Sequence, residues 1–211
     1  MYSKILVLDF GSQYTQLIAR RIRENNVYSE IYPFNIQVNE IKALQPAGLI
    51  LSGGPASVLS DGAPTISMEI YELGIPILGI CYGMQITTKL FGGVVQKATS
   101  REYGKSTLKI INPSSPLLKD VKNNSTVWMS HGDSVVNLPS GFEKVASTDD
   151  CEYVVVENRE KKIYLVQFHP EVVHTEEGNK IIKNFLFEIC RITPDWKIEN
   201  FLEKEMEEIY N

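Results

Sequence analysis

The run Ile75-Pro76-Ile77-Leu78-Gly79-Ile80-Cys81-Tyr82-Gly83-Met84-Gln85 constrains the fold of this 211-residue chain more than any other. Its first half is short, apolar and rich in β-branched residues, which predicts a buried strand. From Tyr82 to Phe91 apolar residues recur at helical spacing. Between strand and helix stands a cysteine flanked by Gly79 and Gly83, a Gly-x-Cys-x-Gly pattern. So sharp a turn lifts its side chain above the sheet in a strained backbone. It also needs small neighbours, because strand and helix pack closely. The free N–H groups and positive dipole end of the helix face the turn and favour thiolate over thiol. A lone free cysteine is usually a small buried hydrophobe. Here the two glycines and the strand-to-helix switch point to a nucleophile instead.

The rest of the chain alternates around this elbow. Residues 5–9 predict a first buried strand. Phe10-Gly11-Ser12 turns it into a helix over 13–25, with Leu17, Ile18 and Ile22 inward. A strand over 27–32, a short helix over 38–44 and a strand over 48–51 follow. The third strand runs into Ser52-Gly53-Gly54-Pro55, and a helix near 66–73 leads to the elbow. This order predicts an α/β fold with a mostly parallel central sheet and helices on both faces, flavodoxin-like. Beyond Gly92-Gly93 the strands become shorter and more alternating: 94–97, 106–111, 126–129, 134–137, 143–147, 153–157 and 163–168. They predict a smaller antiparallel or mixed portion. A helix over 178–190 carries Ile181, Ile182, Phe185, Leu186 and Ile189 on one face. One domain over 1–190 results. Residues 191–211 then hold a break at Thr193-Pro194-Asp195-Trp196 and a final amphipathic helix with the stripe Ile198, Phe201, Leu202, Met206 and Ile209. That helix either docks on its own domain or leads toward a further one.

Composition narrows the class of function. With 43% hydrophobic and 22% charged residues the chain is globular. A net charge of −5 without a lysine- or arginine-rich block weighs against nucleic acid as the main partner. No apolar run reaches membrane-span length, and Met1-Tyr2-Ser3-Lys4 leads straight into a strand, so neither anchor nor signal peptide is expected. The three cysteines, Cys81, Cys151 and Cys190, have an odd count and no regular spacing. A disulfide framework is not expected, and a cytoplasmic location is.

A thiol nucleophile needs a base, and the chain offers His131, His169 and His174. His169 lies in Gln167-Phe168-His169-Pro170-Glu171 at the end of a predicted strand, where open α/β sheets gather their catalytic groups. Cys81 is also at a strand end. Glu171, two residues on, can hold one imidazole nitrogen and leave the other for sulfur, the arrangement of nucleophile, base and orienter. His131, in Trp128-Met129-Ser130-His131-Gly132-Asp133, competes as base, but the glutamate two residues from His169 favours His169; this cluster is expected where a strand ends. Zinc is not expected: Pro170 breaks the regular helix that would align His169 with His174, and no cysteine pair is near. Ser52-Gly53-Gly54-Pro55 can be a tight turn and no more. Beside Cys81 it becomes a candidate oxyanion hole, the N–H of Gly54 with that of Tyr82.

Together, Ser52-Gly53-Gly54-Pro55, Gly79-Ile80-Cys81-Tyr82-Gly83-Met84-Gln85 and Gln167-Phe168-His169-Pro170-Glu171 resemble the class I (triad) glutamine amidotransferase family over nearly all of 1–190. Two further stretches, from Asp9 to Arg21 and Trp128 to Asp133, are similar to the amidotransferase part of GMP synthetases. The resemblance implies a Cys81-His169-Glu171 triad that hydrolyses glutamine through a γ-glutamyl thioester. Gly54 and Tyr82 would hold the oxyanion, while Gln85, Ser130, His131 and Asp133 would surround the backbone end of glutamine. The ammonia would pass to an ATP-pyrophosphatase domain or subunit of GMP synthetase, for amination of XMP to GMP. ATP and Mg²⁺ are expected only there, because this sequence lacks the glycine-rich ATP loop. The stretch 195–211 resembles the start of the connection to that domain in fused enzymes. Two other readings stay open: the amidotransferase component of another synthetase or a related elbow-cysteine hydrolase, and a non-catalytic flavodoxin-like interaction module.

Overall fold

The computed structural model describes residues 3–197, with 99–102 by their backbone only. The amphipathic helix expected beyond Ile198 lies outside the described residues. In chain order the strands are β1 (Lys4–Asp9), β2 (Tyr28–Pro33), β3 (Gly48–Leu51), β4 (Ile77–Ile80), β5 (Val94–Thr107), β6 (Lys109–Ile110), β7 (Thr126–Asn137), β8 (Glu143–Ser147), β9 (Val155–Asn158) and β10 (Ile163–Val166). Eight of them form the central sheet, in the order β2-β1-β3-β4-β10-β9-β8-β6. The first five in that order are parallel; β9, β8 and β6 continue the sheet antiparallel.

Strands β3, β4 and β10 are buried along their whole length, as expected of parallel strands covered on both faces. Successive residues of β1 feed two cores. Ile5 and Val7 join Ile18 and Ile22 of α1 (Thr15–Glu24) on one face. Leu6 and Leu8 join Ile41 of α2 (Val38–Leu44) and Met84 and Ile86 of α3 (Tyr82–Leu90) on the other. Ile181 and Ile182 of α4 (Gly178–Lys183) complete the first of these cores. Helices on both faces are therefore a direct consequence of the alternation along the strands.

Three local expectations are corrected. The segment near 66–73 forms a 3-10 turn, Met68–Glu72, rather than an α-helix. The helix that starts at Gly178 is α-helical only to Lys183 and widens to a π-helix over Asn184–Ile189, where the Cys190 N–H reaches back to Phe185. Four expected short strands fuse into the long β5 and β7, paired antiparallel in a separate two-stranded sheet. Polar residues interrupt the hydrophobic alternation near Ala98 and Ser130, but the backbone ladder runs through, with an irregularity between Lys97 and Glu102. Ser130 to Asp133 thus lie inside β7, not at a strand end.

Candidate active site

The elbow is a steric consequence of its glycines. A Cβ on Gly83 would sit 2.5 Å from the Leu51 carbonyl oxygen, and one on Gly79 would sit 2.7 Å from Leu165 Cδ2 and 2.9 Å from the Gly83 backbone. Only bare backbone lets α3 leave β4 so tightly. Cys81 takes the strain, at φ 50° and ψ −103°. Its N–H donates to the Val166 carbonyl at 2.8 Å, where β10 ends beside β4.

This register brings the two distant motifs together. His169 follows β10 and forms a side-chain hydrogen bond with Cys81. Its Nδ1 lies 2.7 Å from Glu171 Oε1, so Nε2 is the nitrogen left for sulfur. The Gly53 position makes room for the ring, since a Cβ there would stand 3.0 Å from His169 Cε1. Cys81, His169 and Glu171 are at most 5% exposed, so their mutual interactions are screened little by water. Burial alone would pull the His169 pKa down. Its hydrogen bonds with Cys81 and Glu171, and the Glu171 charge, outweigh burial and raise it to about 10. The ring is therefore a proton holder at neutral pH.

Further groups fix the base in place. The His169 N–H donates to the Trp128 carbonyl at 3.0 Å, tying it to β7, and Thr175 Oγ1 donates to the His169 carbonyl at 2.7 Å. The ring of Tyr14 meets His169 edge-on at 5.3 Å. Arg21 Nε donates to the Glu171 carbonyl at 3.0 Å. Tyr14 and Arg21 carry no sequence signal for these roles beyond lying in a stretch that resembles the family.

A cavity of about 600 Å³ opens above the sulfur. Gly54, Gln85, Ser130, His131 and Asp133 all line it, with Cys81 and His169. Gly54 is pressed onto the first strand's exit: a Cβ there would lie 2.5 Å from the Phe10 carbonyl oxygen. The Tyr82 side chain turns away from the cavity, packs on Phe10 and donates to the Pro64 carbonyl. Only its backbone N–H, the first of α3 and without a carbonyl four residues back in the helix, can serve the site. Gln85 Nε2 donates to the Asp133 carbonyl at 2.8 Å, and Ser57 Oγ donates to the Asp133 carboxylate. His131 Nδ1 is 3.0 Å from the Asp133 carbonyl, and burial lowers its pKa. His174 is exposed and stacks on Trp128, apart from the cavity. No cluster of histidine, cysteine and carboxylate groups suited to a metal occurs among the described residues. Nor is any helix among them long and apolar enough to cross a membrane.

An elbow thiol, a buried imidazole and a carboxylate thus stand together where parallel strands of an α/β sheet end, beneath a cavity lined in part by the β5–β7 strand pair. Residues 6–189 match the family Glutamine amidotransferase class-I, an enzyme family, and the chain belongs to it. The chain is 53% identical over 206 residues to the GMP synthase (glutamine-hydrolyzing) of Brachyspira hyodysenteriae, and 54% over 205 residues to that of Macrococcus caseolyticus. These alignments cover 98% and 97% of the chain but only 40% of each relative's length. A crystal structure described as a GMP synthase subunit from Thermoplasma acidophilum superposes with a TM-score of 0.78 at 34% identity, covering 90% of this chain and 95% of that one. A glutamine amidotransferase from Thermotoga maritima shares the fold, with a TM-score of 0.65 at 19% identity and coverage of 92% and 87%.

Proposed function

We propose that this chain is the glutaminase part of a GMP synthase. It hydrolyses glutamine to glutamate and ammonia and delivers the ammonia to an ATP-pyrophosphatase domain or subunit, which aminates XMP. The observation that carries the reading is His169, buried between the Cys81 thiol and the Glu171 carboxylate at the floor of the cavity.

The chemistry follows from which atoms face one another. His169 Nε2 holds the proton it shares with Cys81, and the sulfur attacks the side-chain amide carbon of glutamine. The tetrahedral oxyanion is held by the N–H groups of Gly54 and Tyr82. His169 then gives its proton to the departing ammonia, leaving a γ-glutamyl thioester. In the second half His169 takes a proton from water, whose oxygen attacks the thioester carbon, and sulfur leaves. Glu171 keeps the imidazole oriented and stabilises its cation. Gln85, Ser130, His131 and Asp133 surround the amino-acid end of the substrate, with Ser130 and His131 contributing through their backbone. ATP and Mg²⁺ belong to the partner domain, while the cavity above Cys81 serves glutamine alone. The amidotransferase domain spans residues 1–190, and the reaction takes place in the cytoplasm.

Intact-protein mass spectrometry of a rapidly quenched reaction tests this. A glutamyl adduct on the wild-type chain that is absent from Cys81→Ala supports the reading. Glutamate release that persists in Cys81→Ala overturns it.

A further inference from the structure

Gln167, the first residue of the Gln167-Phe168-His169-Pro170-Glu171 motif, has no part in the chemistry above. Gln167 is fully buried, which is rare for a glutamine without a purpose-built partner. It directly follows β10, whose last residue Val166 pairs with Ile80, so its side chain arises beside the elbow. Its Nε2 lies 3.7 Å from Cys81 Sγ, and its Oε1 accepts from Gln85 Nε2 at 3.4 Å.

A carboxamide can present nitrogen or oxygen to a neighbour, and the network decides which. The deciding group is the backbone carbonyl of Asp133, which can only accept. It takes one N–H of Gln85 at 2.8 Å and thereby turns the Gln85 nitrogen inward. The second N–H of that nitrogen meets the Gln167 oxygen. The Gln167 nitrogen is left facing sulfur, as a donor. Also within reach of the sulfur is the Ser130 carbonyl at 3.6 Å, which accepts from a thiol and repels a thiolate. A donor on the sulfur offsets that repulsion once the thiol has given up its proton.

We propose that Gln167 is a positioning residue for the nucleophile: its N–H, aimed by Gln85 and the Asp133 carbonyl, holds the Cys81 sulfur in the orientation that faces His169. This rests on the reading of Cys81 as nucleophile. It adds that the cavity wall around Gln85 and Asp133 reaches the sulfur through an amide relay, independent of the imidazole. A donor to sulfur favours its anion in the resting site and again when sulfur departs from the thioester.

The test is the pH dependence of Cys81 alkylation by iodoacetamide in the full chain, with kcat and KM for glutamine measured alongside. Gln167→Met keeps the volume but removes the donor. It is expected to move the alkylation midpoint up by about one pH unit and to lower kcat roughly tenfold with little change in KM, the size of one hydrogen bond to a charged group. Gln167→Glu, similar in shape but without an N–H, is expected to move the midpoint at least as far. A second measurement needs no variant. The Gln167 side-chain N–H resonance of the wild type is expected to shift over the pH range in which alkylation accelerates. An unmoved midpoint in the variants, even with lowered melting temperatures, reduces Gln167 to packing and overturns the proposal. So does an unmoved wild-type resonance. Either result leaves the triad intact if Cys81→Ala still abolishes glutamate release, whereas release that survives Cys81→Ala defeats the nucleophile reading itself.

Discussion

The N–H of Cys81 donates to the carbonyl of Val166 at 2.8 Å, and this one backbone bond joins two motifs that lie far apart in the chain. Because β4 and β10 are parallel with Ile80 opposite Val166, both strands end at the same edge of the sheet. The nucleophile sits at one end and the base three residues past the other. Parallel pairing thus does for this site what no local sequence spacing could.

If His169 is the base, its loss and the loss of His131 must differ. His131 is held at Nδ1 by the Asp133 backbone carbonyl, whereas His169 is held at Nδ1 by the Glu171 carboxylate. His169→Asn is expected to cut kcat for glutamine hydrolysis roughly a thousandfold or more, the scale of a general acid–base group. His131→Asn is expected to cost less than about tenfold, the effect of a lining residue whose backbone is kept. Steady-state kinetics of the two variants decides; equal losses would remove the assignment.

The strained backbone at Cys81 has a measurable cost. Glycine is normally less stable than alanine outside special conformations. At φ 50° and ψ −103° the order is expected to reverse, with Cys81→Gly more stable than Cys81→Ala by about 1 kcal/mol or more. Urea unfolding of the two variants measures it. Alanine proving the more stable would mean that the elbow stores no strain.

Gly83 is a packing requirement. An added methyl at 2.5 Å from the Leu51 carbonyl oxygen and 2.8 Å from Leu51 Cβ meets backbone and a buried side chain that cannot withdraw. Gly83→Ala is expected to destabilise the protein by about 1–3 kcal/mol through overpacking and to displace Cys81. Gly62, whose Cβ position is open, serves as a control for general surface effects, although its φ of 73° adds a backbone cost of its own. A Gly83→Ala protein with unchanged stability would contradict the close approach.

The His169 proton is linked to folding. Its pKa is raised from 6.5 to about 10 in the folded state, so the folded protein binds this proton more tightly than the unfolded chain does. The stabilisation is fully present below about pH 6.5 and is lost as pH rises through about 10. The stability margin of wild type over His169→Gln is expected to be largest below about pH 6.5 and to shrink steadily toward about pH 10. Denaturant unfolding across that range checks the slope; a margin that grows with pH would reverse the sign.

The main sheet is legible in the sequence because parallel strands buried on both faces leave unmistakable apolar runs, such as Ile5 to Leu8 and Leu49 to Leu51. Cys81, His169 and Glu171 are legible because each stands in a short motif whose spacing has a mechanical reason. The β5–β7 strand pair is not, since its ladder is held by backbone pairing and only one face of β7 is regularly buried. For the same reason the Ser130 to Asp133 stretch reads as a strand end when it lies inside one. Gln167 shows a different limit. A glutamine at a strand end reads as solvent-facing, and its burial against sulfur depends on Gln85 and Asp133, which no pattern in its own neighbourhood reveals.

Glutamate release from glutamine is the direct test of the central claim, measured for the wild type, Cys81→Ala and His169→Asn, alone and with a GMP synthase ATP-pyrophosphatase domain plus ATP, Mg²⁺ and XMP. Release that requires both side chains and accelerates with the loaded partner is the expected result. Release indifferent to Cys81 and His169 would contradict the triad, and triad-dependent release indifferent to this partner would contradict the assignment to GMP synthesis.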